Sequence, residues 1–119
     1  MKVRLAGNKE IGAKLKQMKR GTKNEKLRQA IRPGAGTVLR EARRHVPVLS
    51  GELRDSLRIV ERQSARVDIE SPLPQAPVIE FGWPSRGIKP QPFMRPALHE
   101  NRRDVVDEIE GELQEIMGL

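Results

Sequence analysis

Apolar and polar residues alternate along this chain with two different periods. Val3 and Leu5 alternate with Lys2 and Arg4, which predicts a short extended piece ending at Gly7. Asn8 is a good N-cap, and Ile11, Leu15 and Met18 then recur at the spacing of one helical face. Lys14, Lys16, Lys19 and Arg20 crowd the last turns, where cations suit the helix dipole, and Gly21 closes this first helix. A second helical region runs over residues 24–45. Leu27, Ala30 and Ile31 form one stripe; Val38, Leu39, Ala42 and Val46 form another. Pro33, Gly34 and Gly36 lie between them, and the stripes are nearly in phase, so a helix kinked or interrupted near Pro33 is expected. Pro47 ends it.

The period then changes to two. Leu57, Ile59 and Val60 stand out in one run; Ala65, Val67 and Ile69 alternate with Arg66, Asp68 and Glu70 in the next. Gln63-Ser64 supplies the turn of an antiparallel hairpin. The stretch 71–77 holds three prolines and reads as a loop or an edge. Residues 78–82 (V-I-E-F-G) read as a third strand, and 83–91 as an exposed, mobile loop. The last helix starts between residues 92 and 97 and runs to about 117. Leu98, Val105, Ile109, Leu113 and Ile116 are its buried stripe, widened by Val106 and Met117.

The pattern therefore predicts an α+β fold in a single domain, 1–119. Its basic helical part is 1–46, its β part 57–82 with three to four antiparallel strands, and its C-terminal helix 93–117, packed on the sheet. Residues 90–98 (P-Q-P-F-M-R-P-A-L) are the most informative stretch. Their prolines hold the backbone extended before a helix starts at Phe93 and Pro96. All the aromatic residues, Phe81, Trp83 and Phe93, lie close to or within it. This predicts a fixed corner with Phe93 as a core plug and the neighbouring 83–89 loop, with Trp83, Arg86 and Lys89, as a subunit contact.

Composition narrows the options. The chain has 119 residues, no Cys, 36% apolar and 33% charged residues, so its core is lean and a partner subunit would help to cover it. There is no disulfide framework, no thiolate nucleophile and no Cys-based zinc site. No apolar run reaches the length of a membrane span, and no apolar signal core is seen, which predicts a soluble protein made in a cytosol. The net charge of +7 divides into +12 over residues 1–66 and −5 over 67–119. A basic half and an acidic half suit a solvated surface, head-to-tail packing of like subunits, or nucleic-acid contact.

Catalytic signals are missing. His45 and His99 lack ligand spacing, the serines form no nucleophile elbow, and Gly34-Ala35-Gly36-Thr37 lacks the Lys-Ser/Thr of a phosphate loop, so helix interruption explains it better. Glu80 has no carboxylate partner at a defined spacing. A structural ion pair with Arg54, Arg58 or Arg95, or a subunit contact, is the preferred reading over catalysis. No enzyme activity, cofactor or metal is expected.

In this order, V-P-V-L-S-G-E-L-R-D-S-L (46–57), A-P-V-I-E-F-G (76–82), P-Q-P-F-M-R-P-A-L and a terminal helix resemble the neck and tail-completion proteins of long-tailed bacteriophages. That family is named for the tenth gene product of a lambdoid phage. The resemblance implies that Pro47, Gly51, Leu53 and Ser56 belong to the turn between helix and sheet. It implies that Glu80, Phe81, Gly82, Pro92, Phe93, Pro96 and Ala97 form a second structural block. Gln75-Ala76 stand where family members often carry an aromatic, and Trp83 where a small hydroxyl residue is common. The resemblance also implies a virion protein without a catalytic site. It would act at the head–tail joint, in rings made with itself or with neighbouring neck and tail proteins. The alternative is a small basic nucleic-acid-binding module.

Overall fold

A computed structural model describes residues 2–6, 19–47 and 51–117, the first of these by its backbone. The expected stripe Ile11, Leu15 and Met18 and the exit residues 48–50 lie outside the described residues. In chain order the elements are β1 (Lys2–Ala6), α1 (Arg20–His45), α2 (Glu52–Ser56), β2 (Arg58–Arg62), β3 (Arg66–Glu70), α3 (Gln75–Phe81), α4 (Met94–His99) and α5 (Arg102–Ile116).

The central element is α1, whose 26 residues make a rod about 39 Å long. It is one continuous helix. Pro33 lies inside it, and Gly21 lies in its first turn rather than closing an earlier helix. A proline in a helix interior costs about 3 kcal/mol. The burial of Leu27, Ala30 and Ile31 before it and Ala35, Val38 and Ala42 after it, in phase, outweighs that cost. Arg43, Arg44 and His45 occupy the last turn, where the helix dipole favours cations.

The sheet is three-stranded, in the order β1-β3-β2, and antiparallel throughout. Ile69 pairs with Val3 on one side and with Ile59 on the other. Val67 and Ile69 are buried. The alternate residue Asp68 is also fully buried, and it is neutralised by Arg66 at 2.8 Å and Arg62 at 3.3 Å. The hairpin turn ends at Ala65, which has φ 50°. Arginines of α1 hold this hairpin along the helix. Arg43 donates to the Leu57 carbonyl at 2.9 Å, Arg32 clasps the Glu61 carboxylate, and Arg28 donates to the Arg62 carbonyl at 3.1 Å. The strand therefore runs from the C-terminal end of α1 towards its N-terminal end.

Three expectations are corrected. Residues 78–82 are not a strand. The segment 75–81 is α3, with Pro74 as N-cap and Pro77 in the first turn, where a missing N–H has no intrahelical role. The sheet's third strand is β1 instead. The C-terminal helix is also not single, because Asn101 breaks it. The Asn101 amide donates to the Ala97 carbonyl at 3.0 Å, closing α4, while its own carbonyl accepts the first amide bond of α5 from Val105 at 2.9 Å.

Finally, α5 packs along α1 rather than on the sheet. The Gly34-Ala35-Gly36 run does not interrupt α1; it is the notch that α5 fills. A Cβ at Gly34 would lie 3.0 Å from Val105 Cγ1 and 3.1 Å from Ile109 Cγ1, whereas one at Gly36 would meet nothing within 4 Å. Thr37, one turn further along α1, donates to Glu108 of α5 at 2.9 Å. Val105, Ile109 and Leu113 are the buried stripe of α5, as the spacing predicts.

Candidate interaction surface

The block around Glu80 forms a buried corner beneath an exposed loop. Glu80 sits in the last turn of α3 with no solvent exposure. Its carboxylate faces the start of α4. Oε2 accepts the backbone N–H of Phe93 at 2.6 Å and of Met94 at 3.2 Å; Oε1 accepts that of Arg95 at 3.0 Å. The first N–H groups of a helix have no partner inside it, so one side chain from a neighbouring helix satisfies three donors that would otherwise be stranded. The Arg95 guanidinium completes the arrangement, reaching Oε1 at 3.3 Å and the Glu80 carbonyl at 3.1 Å. Of the three arginines considered for Glu80, Arg95 is the partner. Arg54 lies beside Asp55 and Arg58 beside Glu70. With both oxygens committed to intramolecular donors and no exposure, Glu80 is built as a clamp.

Phe93 is the core plug the sequence predicts, with no exposed surface. Met94 and Ala97 are buried beside it, Pro96 lies in the first turn of α4, and Pro92 is exposed on the approach. The residues of the first block lie at and around α2. Gly51 caps α2 at φ 76°, Leu53 is core, and Pro47 follows the end of α1. Ser56 donates to the Leu53 carbonyl at 2.6 Å and meets the Ser71 hydroxyl at 2.7 Å, tying α2 to the chain leaving β3. Ser71 carried no signal in the sequence. It matters only because the hairpin returns it to Ser56.

Gly82 turns the chain out of α3 with φ 75° and ψ 179°, a conformation close to glycine's alone. The space is equally restrictive: a Cβ there would lie 2.7 Å from the Pro90 nitrogen and 2.8 Å from the Ile88 carbonyl. The loop beyond is tightly built. Trp83 and Ile88 exchange backbone hydrogen bonds at 2.8 and 3.1 Å, Pro84–Arg86 form a 3-10 turn, and Gly87 closes it at φ 69°. The Gln91 N–H returns to the Ile79 carbonyl at 2.8 Å.

This framework holds apolar groups in water. Phe81 is 56% exposed, Trp83 42% and Ile88 40%. Each ring carries a cation: Arg86 lies 4.5 Å from the Trp83 ring centre and Arg95 5.2 Å from that of Phe81. Lys89 is exposed next to them. Trp83, Arg86 and Lys89 are thus exposed in this loop, as are Phe81 and Ile88 beside them. Ile88 was overlooked because a lone isoleucine in a polar loop has no periodicity to flag it.

Among the described residues, no group of three or more His, Cys, Asp and Glu is placed to hold a metal ion. The Nε2 of His45 approaches Glu100 at 3.7 Å, and His99 is the last residue of α4. No described helix is long and apolar enough to cross a membrane.

Fold and surface together define a small α+β module with a hydrogen-bonded, cation-bearing apolar loop. The chain belongs to the family described as "Bacteriophage HK97-gp10, putative tail-component", whose model matches residues 9–82. That family takes its name from HK97. The match includes α1, α2, the hairpin and α3 up to Gly82, and stops before the 90–98 corner. No curated protein and no solved structure matches the chain.

Proposed function

We propose that this chain is a structural virion protein of a tailed bacteriophage or prophage, made in the host cytoplasm. It acts at the head–tail joint, in neck assembly or tail completion, through ring-like protein–protein assembly. Membership of a phage tail-component family supports the virion role. The observation that carries the assembly role is the 81–89 loop, which keeps Phe81, Trp83 and Ile88 exposed on a hydrogen-bonded frame. Exposed apolar groups in a fixed geometry bind with little ordering cost, as an interlocking subunit requires.

The nucleic-acid reading has less support. Arg28, Arg32, Arg43, Arg44, Arg62 and Arg66 already bind groups within the protein. The decisive measurement is the mass of the purified protein by light scattering, alone and with the joint proteins of its own phage, together with electron microscopy of particles lacking it. Oligomers or stable complexes, and heads that fail to join finished tails, are expected. A chain that stays monomeric at high concentration and binds no joint component refutes the proposal. DNA binding that falls steeply with salt would favour the nucleic-acid reading instead.

A further inference from the structure

We infer that consecutive copies of this chain meet head to tail, the 81–89 loop of one docking on the acidic C-terminal end of α5 of the next. This rests on the ring-assembly reading and names the two faces that would meet.

The two surfaces belong to different elements, the loop to the connection between α3 and α4 and the acidic end to α5. Arg43 holds Leu57 near the C-terminal end of α1, and Ser56 meets Ser71 there. His45, the last residue of α1, approaches Glu100 just after α4. The segment from Ser71 to Glu100, which carries the loop, is thus bracketed at that end. By contrast α5 runs back along α1, with Glu108 beside Thr37. Seven more residues to Glu115 carry it about 10 Å further towards the start of α1. No ion pair joins the two within one chain among the described residues, and copies can bring them together. A contact between two different surfaces repeats in one direction, which makes rings or filaments.

Charge selects this occupant. Residues 81–95 contain Arg86, Lys89 and Arg95 and no acidic residue, while residues 104–116 contain six carboxylates and no cation. Arg86 and Lys89 make no ion pair among the described residues, and neither do Asp107, Glu112 and Glu115. Glu112 and Glu115 also lie in the last turns of α5, where the helix dipole disfavours negative charge and no basic residue compensates. A loop bearing cations and apolar groups relieves that arrangement, and fixes the register of docking.

The test is a charge swap read by sedimentation velocity across a concentration series. One chain carries Arg86→Glu and Lys89→Glu; the other carries Glu112→Lys and Glu115→Lys. Each alone should need at least about tenfold higher concentration to associate than the wild type, because two complementary pairs become repulsive. An equimolar mixture should regain association, since both of its contacts are complementary. If either reversed chain fails to fold by circular dichroism, Trp83→Ser with Ile88→Ser replaces the loop variant, and Glu112→Gln with Glu115→Gln the helix variant; each should weaken association. Unchanged association in the variants, or a mixture that stays monomeric, overturns the inference. A wild-type chain that is monomeric but captures a joint protein through the loop also overturns it, and leaves the proposed function standing. If that chain captures nothing, both fall.

Discussion

Replacing Glu80 by alanine tests the clamp that supports the loop. The substitution removes the acceptor for the N–H groups of Phe93, Met94 and Arg95. Phe93 and Met94 are buried, so water cannot readily replace the lost oxygen. Each stranded buried donor costs about 1–3 kcal/mol. Arg95 is half exposed and can rehydrate, which makes its share smaller. The two stranded buried donors together cost about 2–6 kcal/mol, and that is the expected loss here. Such a loss is a large part of the 5–15 kcal/mol typical of a domain. Glu80→Gln keeps one carbonyl oxygen but points an NH2 group at donors, so about 1–3 kcal/mol is expected.

Urea unfolding followed by circular dichroism gives both values, with the slope unchanged if the native state keeps its compactness. Amide exchange localises the effect: protection at Phe93 and Met94 should fall in both variants. Trp83, the chain's one tryptophan, reports the loop by its emission. A Glu80→Ala variant within 1 kcal/mol of wild type, or one more stable than Glu80→Gln, would sink the clamp reasoning.

Other outcomes follow from single contacts. Gly34→Ala should lower stability by about 1 kcal/mol, because its Cβ crowds Val105 and Ile109 by more than the gain in helix propensity. Gly36→Ala, in open space, should raise it by about 0.5–1 kcal/mol; equal shifts in thermal melts would refute the notch. Phe93→Ala should cost about 3–5 kcal/mol by denaturation. Trp83→Ala should leave the melt nearly unchanged and impair association, so the reverse order in melts and light scattering would exchange the roles of the two rings. For Glu61, the Arg32 guanidinium holds the carboxyl below the usual carboxylate range. A depressed pKa contributes stability above the unfolded value, lost as pH falls through the folded one. The pair is exposed, so the melting temperatures of wild type and Glu61→Gln should differ slightly at pH 7. The gap should begin to narrow below about pH 4.5 and close only once pH has fallen through the lower folded value; a gap that does not narrow in acid contradicts the assignment.

Much of this was legible before folding. Leu27, Ala30, Ile31, Val38 and Ala42, Val67 and Ile69, and Val105, Ile109 and Leu113 are buried as their spacing predicts, because periodicity is local and water imposes it directly; Val106, expected to widen the last stripe, is 39% exposed. The reading failed where two local signals competed. Val78, Ile79 and Phe81 are strong strand formers, and they outweighed the proline in the first turn and the glycine after the last that mark α3 as a helix. The same error hid the environment of Glu80: alternation would place Ile79 and Phe81 inside together, whereas helical rotation buries Glu80 and leaves Phe81 in water.

The sequence by itself determined the basic and acidic halves, the hairpin, the helical region over 24–45, the buried Phe93 and the absence of cysteine chemistry. These depend on composition and on neighbours a few residues apart. Tertiary structure alone decided that Glu80 would cap a helix thirteen residues away, that Gly34 would seat Val105, and that Ser56 would meet Ser71. Such pairings arise when distant segments pack, and no property of either segment announces its partner.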